Sequence, residues 1–276
     1  MKKQMHLLQM FIHSLSTHTS MAWMDPRDRQ AAGLGSFAYW QKLARTLERG
    51  RFDGVFFADV AAVHEQYKDS PESCVRYGVS WPNHDPMPLV AVMAAATEHL
   101  GFGVTLSTAG TTPYLAVRRI STLDYLSGGR VGWNIVTGIN RGEHRANGMA
   151  MMEHDERYDF ADEYMDICYA LWDSVPADAI LCDRATGEFA DAARVRTVDY
   201  EGKYLSAHAV GPVLPSPQGR PLLFQAGSSS RGLQFAVKHA DVVFTIQPHV
   251  DGMKKFVGKA KALGAAAGRD PRVFVG

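Results

Sequence analysis

Short apolar runs rich in β-formers alternate with stretches of helical spacing along nearly the whole chain, and this alternation narrows the possible folds more than any other feature. The runs fall at residues 7–12, 54–58, 102–107, 132–137, 222–226, 242–246 and 272–275. Strands separated by helices assemble into a parallel sheet, so the chain reads as α/β. The spacing predicts helices over 37–49, 88–99, 116–126, 155–172, from the run Gly227-Ser228-Ser229-Ser230 through Lys238, and over 251–267. In the first, Tyr39, Leu43 and Leu47 form the expected inward stripe. The segment 88–99 is apolar all round, and 116–126 runs into the stop signal Gly128-Gly129. Two stretches break the rhythm. Residues 60–87 show no period and read as an insertion after the second strand. Residues 174–221 read as an insertion after the fourth, with 195–200 and 203–208 as a hairpin around Glu201-Gly202. The expected architecture is one domain over 1–276, a TIM-type (β/α) barrel of parallel strands whose eighth strand would lie beyond residue 276.

Composition excludes several functions. With 29 Lys+Arg against 29 Asp+Glu and no basic block, the chain lacks the footprint of a nucleic-acid partner. No apolar run approaches the roughly 20 residues of a membrane span, and residues 5–12 lack the cleavage signal of a leader, so a cytoplasmic protein without membrane contact is expected. Cys74, Cys168 and Cys182 are too scattered for a zinc site or redox pair. His6, His13 and His18 have no matching acidic and His set downstream, which argues against a metal-dependent barrel hydrolase.

Barrels of this kind place their ligand chemistry at the C-terminal ends of the strands, so the residues there are the candidates. Asp59 follows the second strand and can accept from ligand N–H or hydroxyl groups, or can cap a loop. Thr108 ends the third. Asn134 is polar inside an apolar strand and needs a partner, either a ligand or a neighbouring backbone. His154 and Tyr158 open the helix after the fourth strand, and Ser228 and Ser229 open the helix after the fifth. A helix start offers free N–H groups to an anion, and two such starts point to a phosphorylated small molecule, although capping explains either alone. His13, ending the first strand, is the positional candidate for an acid/base residue.

Four segments carry a resemblance. They are residues 44–53, residues 123–137 (Leu-Asp-Tyr-Leu-Ser-Gly-Gly-Arg-Val-Gly-Trp-Asn-Ile-Val-Thr), residues 154–164, and residues 215–229. In this order they resemble the bacterial luciferase-like flavin-dependent monooxygenases, most closely the branch of nitrilotriacetate and dibenzothiophene-sulfone monooxygenases. The resemblance implies a TIM-barrel enzyme that receives FMNH2 from a separate NAD(P)H:flavin reductase. With O2 it would form a flavin hydroperoxide that oxygenates a small organic substrate, typically cleaving a C–N or C–S bond. It further implies that Asp59 and Thr108 lie near the isoalloxazine or ribityl chain, with Asn134 in the flavin pocket. His154, Tyr158 and Ser228 or Ser229 would hold the ribityl and phosphate. A homodimer or homotetramer is expected. Two local departures are Gly138, where relatives often carry Ser, and Asn147-Gly148, where Asn-Phe-Gly is usual. The chain also ends where relatives begin their seventh strand. A non-catalytic or vestigial flavin-binding protein of the same fold is the alternative.

Overall fold

The computed structural model describes residues 5–16 and 21–275; His18, one of the three histidines noted above, lies outside them. The elements, in chain order, are β1 (Leu8–Phe11), α1 (Gln30–Gly33), α2 (Phe37–Arg49), β2 (Gly54–Phe57), α3 (Glu72–Tyr77), α4 (Met87–Ala94), β3 (Gly101–Ser107), α5 (Pro113–Leu126), β4 (Val131–Val136), α6 (Arg141–Ala146) and α7 (His154–Asp173). After these come β5 (Ile180–Asp183), β6 (Glu188–Ala190), β7 (Val198–Glu201), β8 (Ser206–Ala209), β9 (Leu222–Ala226), α8 (Ser230–His239), β10 (Val242–Thr245), α9 (Val250–Ala266) and β11 (Arg272–Val275). The chain divides into two compact units, Met1–Gly110 with Arg130–Met151, and Thr111–Gly129 with Met152–Gly276.

In the first unit β1, β2, β3 and β4 pair in parallel, with Met10 opposite Phe56, Val55 opposite Phe102, and Thr105 opposite Asn134. Val55, Phe57, Phe102, Val104, Trp133 and Ile135 are buried, the near-continuous apolar pattern of strands covered on both faces. Helix α2 has the expected bounds, capped by Ser36, which accepts from Tyr39 N at 3.4 Å. Its buried stripe is Trp40, Ala44 and Leu47, not Tyr39, Leu43 and Leu47: the Trp40 indole donates to Leu34 O at 3.0 Å, and the first two positions of the face shift by one residue while Leu47 stays. The predicted helix 88–99 stops at Ala94 because its end is held from elsewhere. The Glu48 carboxylate accepts from the backbone N–H groups of Glu98, His99 and Leu100, and the Arg130 guanidinium donates to the carbonyls of Ala94 and Leu100. The insertion 60–87 is not wholly irregular; it contains α3.

In the second unit β9, β10 and β11 pair in parallel, with Phe224 opposite Val242 and Val243 opposite Val273. Leu233, Ala236, Val237, Val243, Phe256 and Ala260 form the core between α8, α9 and β10. Helix α5 begins with Thr112 as cap and Pro113 at its first turn, and runs out through Gly128 and Gly129, both at positive φ. Its last turn buries Asp124, which accepts from the Gln218 amide at 2.6 Å and from the Ser216 hydroxyl. The insertion 174–221 carries two antiparallel hairpins, not one: β5 with β6, and β7 with β8. Among the described residues no helix is long and apolar enough to cross a membrane.

Candidate active site

In the first unit the strands end in buried polar side chains. Asn134 is 5% exposed; its amide donates to Thr105 Oγ1 at 2.8 Å, across the register that sets the two residues opposite each other, while its Oδ1 has no partner. This answers the choice left open by the sequence in part only: one end of the amide is bridged to the neighbouring strand, the other is free for a ligand. Thr108, 2% exposed, also has an unpartnered Oγ1, although its backbone N–H donates to Val136 O at 2.9 Å. Asp59 is half-buried just past β2. Burial, with the Asp85 and Glu143 carboxylates adding to it, pushes its pKa up to about 6. His13 lies with both ring nitrogens 3.3 Å from backbone carbonyls, those of Asp85 and Leu34; each neutral tautomer can donate to one of them. Its ring packs edge-on against Trp40 and 4.9 Å from the ring of His84.

Helix α6 escaped the sequence reading. It follows the Asn140 cap, whose Oδ1 accepts from Gly142 N at 2.9 Å. The Asn-x-x-Glu spacing of Asn140 and Glu143 is a helix-start signal that could have revealed it. It brings Glu143 and His144 to the ends of β3 and β4, both buried, with Glu143 Oε1 and His144 Nδ1 unpartnered. The same helix is tied to the insertion after β2: Arg145 pairs with Glu65, Arg141 with Asp69, and the Asn140 amide donates to Ala62 O at 2.6 Å.

In the second unit the openings of α7 and α8 meet. Tyr158 is buried, with its ring 5.6 Å from Phe235 and 5.3 Å from His154. Its hydroxyl reaches the first turn of α8, where an ideal Cβ on Gly232 would lie 2.6 Å from it and 2.9 Å from Ser229 Oγ. Glycine is what lets that hydroxyl sit there. Ser229 caps α8, its oxygen accepting from Gly232 N at 2.9 Å, which leaves its hydroxyl hydrogen to donate elsewhere. Ser228 is exposed, and the N–H groups of Ser230 and Arg231 precede the helical ladder. His154 is exposed and bonds Asp155 at 2.5 Å. Arg157 is buried and donates to Met152 O while its Nε has no partner, and Arg231 is engaged by Asp159 and Asp162. Gln225, polar within an apolar strand as Asn134 is, is 1% exposed with Oε1 unpartnered. The polar-in-apolar signal that singled out Asn134 applied equally to Gln225, yet the sequence reading passed over it.

Parallel βα units are the pattern of a TIM-type α/β protein, and buried, incompletely bonded polar groups at their strand ends are candidates to meet a ligand. The particular lineage follows from comparison with known proteins. Residues 11–276 match the family model for luciferase-like monooxygenases, and the chain belongs to that family. It is 44% identical over 273 residues to a dibenzothiophene-sulfone monooxygenase of Rhodococcus erythropolis (strain XP), a match that takes in 98% of this chain and 60% of that protein. Its fold matches the crystal structure of a long-chain alkane monooxygenase (LadA) with a TM-score of 0.95 at 37% identity, covering 100% of this chain and 64% of that one. A riboflavin lyase crystallised with modified FMN and riboflavin matches with a TM-score of 0.92 at 34% identity, covering 99% of this chain and 62% of that one. The chain thus spans about six-tenths of the length of these relatives.

Proposed function

We propose that residues 1–276 form one luciferase-like domain that acts as the oxygenating part of a two-component system, taking FMNH2 from a separate NAD(P)H:flavin reductase and oxygenating a small organic substrate with C–S or C–N bond cleavage. The family match and the monooxygenase relatives support this reading, as does the FMN in the riboflavin lyase match. When bound, the reduced flavin supplies the two electrons with which one atom of O2 enters the substrate and the other leaves as water. A cytoplasmic homodimer or homotetramer goes with the same reading.

The residues fit such a group. The Tyr158 hydroxyl, the Ser228 and Ser229 hydroxyls and the first-turn N–H groups of α8 make a donor set for the phosphate, with His154 beside the ribityl chain. Thr108 and Asn134 keep unpartnered oxygens for the ring and ribityl hydrogen bonds, and Asp59 accepts from the same groups when ionised. His13 is the candidate to hold or move a proton. The observation that carries the reading is the Tyr158 hydroxyl lodged against Gly232 at the opening of α8. Titration with FMN under reducing conditions tests it. Tyr158→Phe and Ser228→Ala are each expected to weaken binding about five- to tenfold, the loss of one hydrogen bond to an anion. Equal affinity in both variants and the parent chain would overturn the phosphate cradle.

A further inference from the structure

Ser107, Gly110, Gly138, Glu143 and His144 share one neighbourhood at the ends of β3 and β4. An ideal Cβ on Gly138 would lie 2.9 Å from Ala109 Cβ, 3.0 Å from His144 Nε2 and 3.2 Å from Ser107 Oγ. One on Gly110 would lie 3.3 Å from Glu143 Oε1. The imidazole and the carboxyl therefore lie against bare backbone, and Gly138, at φ +67°, admits the ring only as glycine.

His144 is 1% exposed and Glu143 5%. The His144 Nε2 is 2.8 Å from the Gly138 carbonyl oxygen; a carbonyl can only accept, so Nε2 carries the hydrogen and Nδ1 of the neutral ring is an acceptor. That acceptor has no partner, and neither has Glu143 Oε1. Each such orphan carries an uncompensated desolvation cost in a buried setting. The Asn140 amide bonded to Ala62 O and the ion pairs of Arg141 and Arg145 attach α6 without using either orphan atom. A ligand that brings a hydrogen-bond donor offsets that cost.

We propose that His144 Nδ1, on the same turn of α6 as the Glu143 carboxyl, is a ligand subsite that accepts a hydrogen bond from a neutral N–H group. Burial raises the Glu143 pKa against the opposing Ser107 hydroxyl, and a carboxyl held toward its neutral form favours a neutral donor over a cation. The subsite rests on the flavin-dependent reading only in assuming that the strand ends hold the ligand. The donor has two possible sources, the imide N–H of a flavin or an amide N–H of the substrate.

Nitrogen-15 NMR of the histidine-labelled chain reads Nδ1 directly. In the protein alone, His144 is expected as a neutral ring protonated at Nε2, with Nδ1 giving the signal of an unbonded lone pair. The probes are oxidised FMN, N-methylacetamide, and dibenzothiophene sulfone, which has no N–H or O–H. Upfield movement of the Nδ1 signal with FMN assigns the donor to the flavin, and movement with N-methylacetamide assigns it to a substrate amide; either supports the subsite. A signal unmoved by both donors, moved equally by the sulfone, or carrying the proton itself in the free protein overturns it. Flavin absorbance in the same samples separates the two readings. FMN bound, with Nδ1 unmoved by FMN and by the amide, removes the subsite and leaves the flavin assignment standing. Failure to bind FMN while N-methylacetamide still moves Nδ1 does the reverse. His144→Phe keeps a ring without an acceptor and is expected to weaken the responding probe about five- to tenfold. Should that variant not fold, the arms on the parent chain decide alone.

Discussion

The two units treat their buried carboxylates in opposite ways, although Gln225 in the second unit keeps an unpartnered oxygen as the strand-end groups of the first do. In the second unit the ion-pairing carboxylates are saturated. Asp162 accepts from Arg231 at 2.6 Å, Lys238 at 2.9 Å and His239 at 2.6 Å. Burial works against its charge, but these hydrogen bonds outweigh it and hold its pKa well below the usual carboxylate range. Asp241 takes Arg220 and Arg269, and Glu163 accepts from the backbone N–H groups of Lys203, Tyr204 and Leu205. In the first unit Thr108, Asn134, Glu143 and His144 each leave a polar atom unpartnered, and the Asp59 pKa is raised. Saturated groups hold a scaffold together; unsaturated ones at strand ends keep free energy that a ligand can recover.

Four substitutions break or sharpen this contrast, beginning with the largest effect. Asp162→Ala leaves Arg231, Lys238 and the buried His239 without their common partner, and is expected to cost about 3–5 kcal/mol in urea unfolding. The Asp162 pKa in the fold lies below the ordinary 3.8, so its contribution is complete above that pH and fades as the pH falls through the folded value; the variant and the parent should converge in strong acid. Asp59→Asn should act with the opposite sign. The folded pKa of about 6 exceeds the ordinary 3.8, so the ionised form is disfavoured by the fold. The penalty is absent below pH 3.8, grows up to about 6 and persists above, and the variant should be about 2–3 kcal/mol more stable at pH 8 and unchanged at pH 3. An unchanged stability at pH 8 would count against the contrast.

Gly232→Ala drives a methyl group to within 2.6 Å of the Tyr158 hydroxyl, with an expected loss of about 1–3 kcal/mol in thermal or urea unfolding and a weaker hold on FMN. Ser229→Ala removes one helix cap and should cost about 1 kcal/mol. A Ser229→Ala effect confined to stability would assign that serine to the scaffold, while an added loss of FMN affinity would assign it to both.

Much of the resemblance read from the sequence turns out to be scaffold. Within residues 44–53, Glu48 ends α4's neighbourhood by capping the N–H groups of residues 98–100. Asp124 and Ser216, from two of the recognised segments, bind each other across 92 residues of sequence. Arg130 closes the end of α4. Asn134, by contrast, carries an open oxygen. A motif shows that a residue matters to the fold family, and only its partners in space show whether it is spent on structure.

The alternation of apolar runs and helical spacing was enough to place the parallel strands and most helices, because burial of an alternating or 3.6-residue pattern is a local property of the chain. The strand-end candidates Asp59, Thr108 and Asn134 and the paired helix openings at His154 and Ser229 were legible for the same reason. Which polar atoms stayed unpaired was decided by tertiary structure alone. Saturation depends on groups brought together from distant positions: Asp162 with His239, Asp124 with Ser216, and the His144 ring admitted by Gly138. Hydrogen bonds are short-ranged and directional, so a buried group's unmet valence exists only once its neighbours are fixed in space.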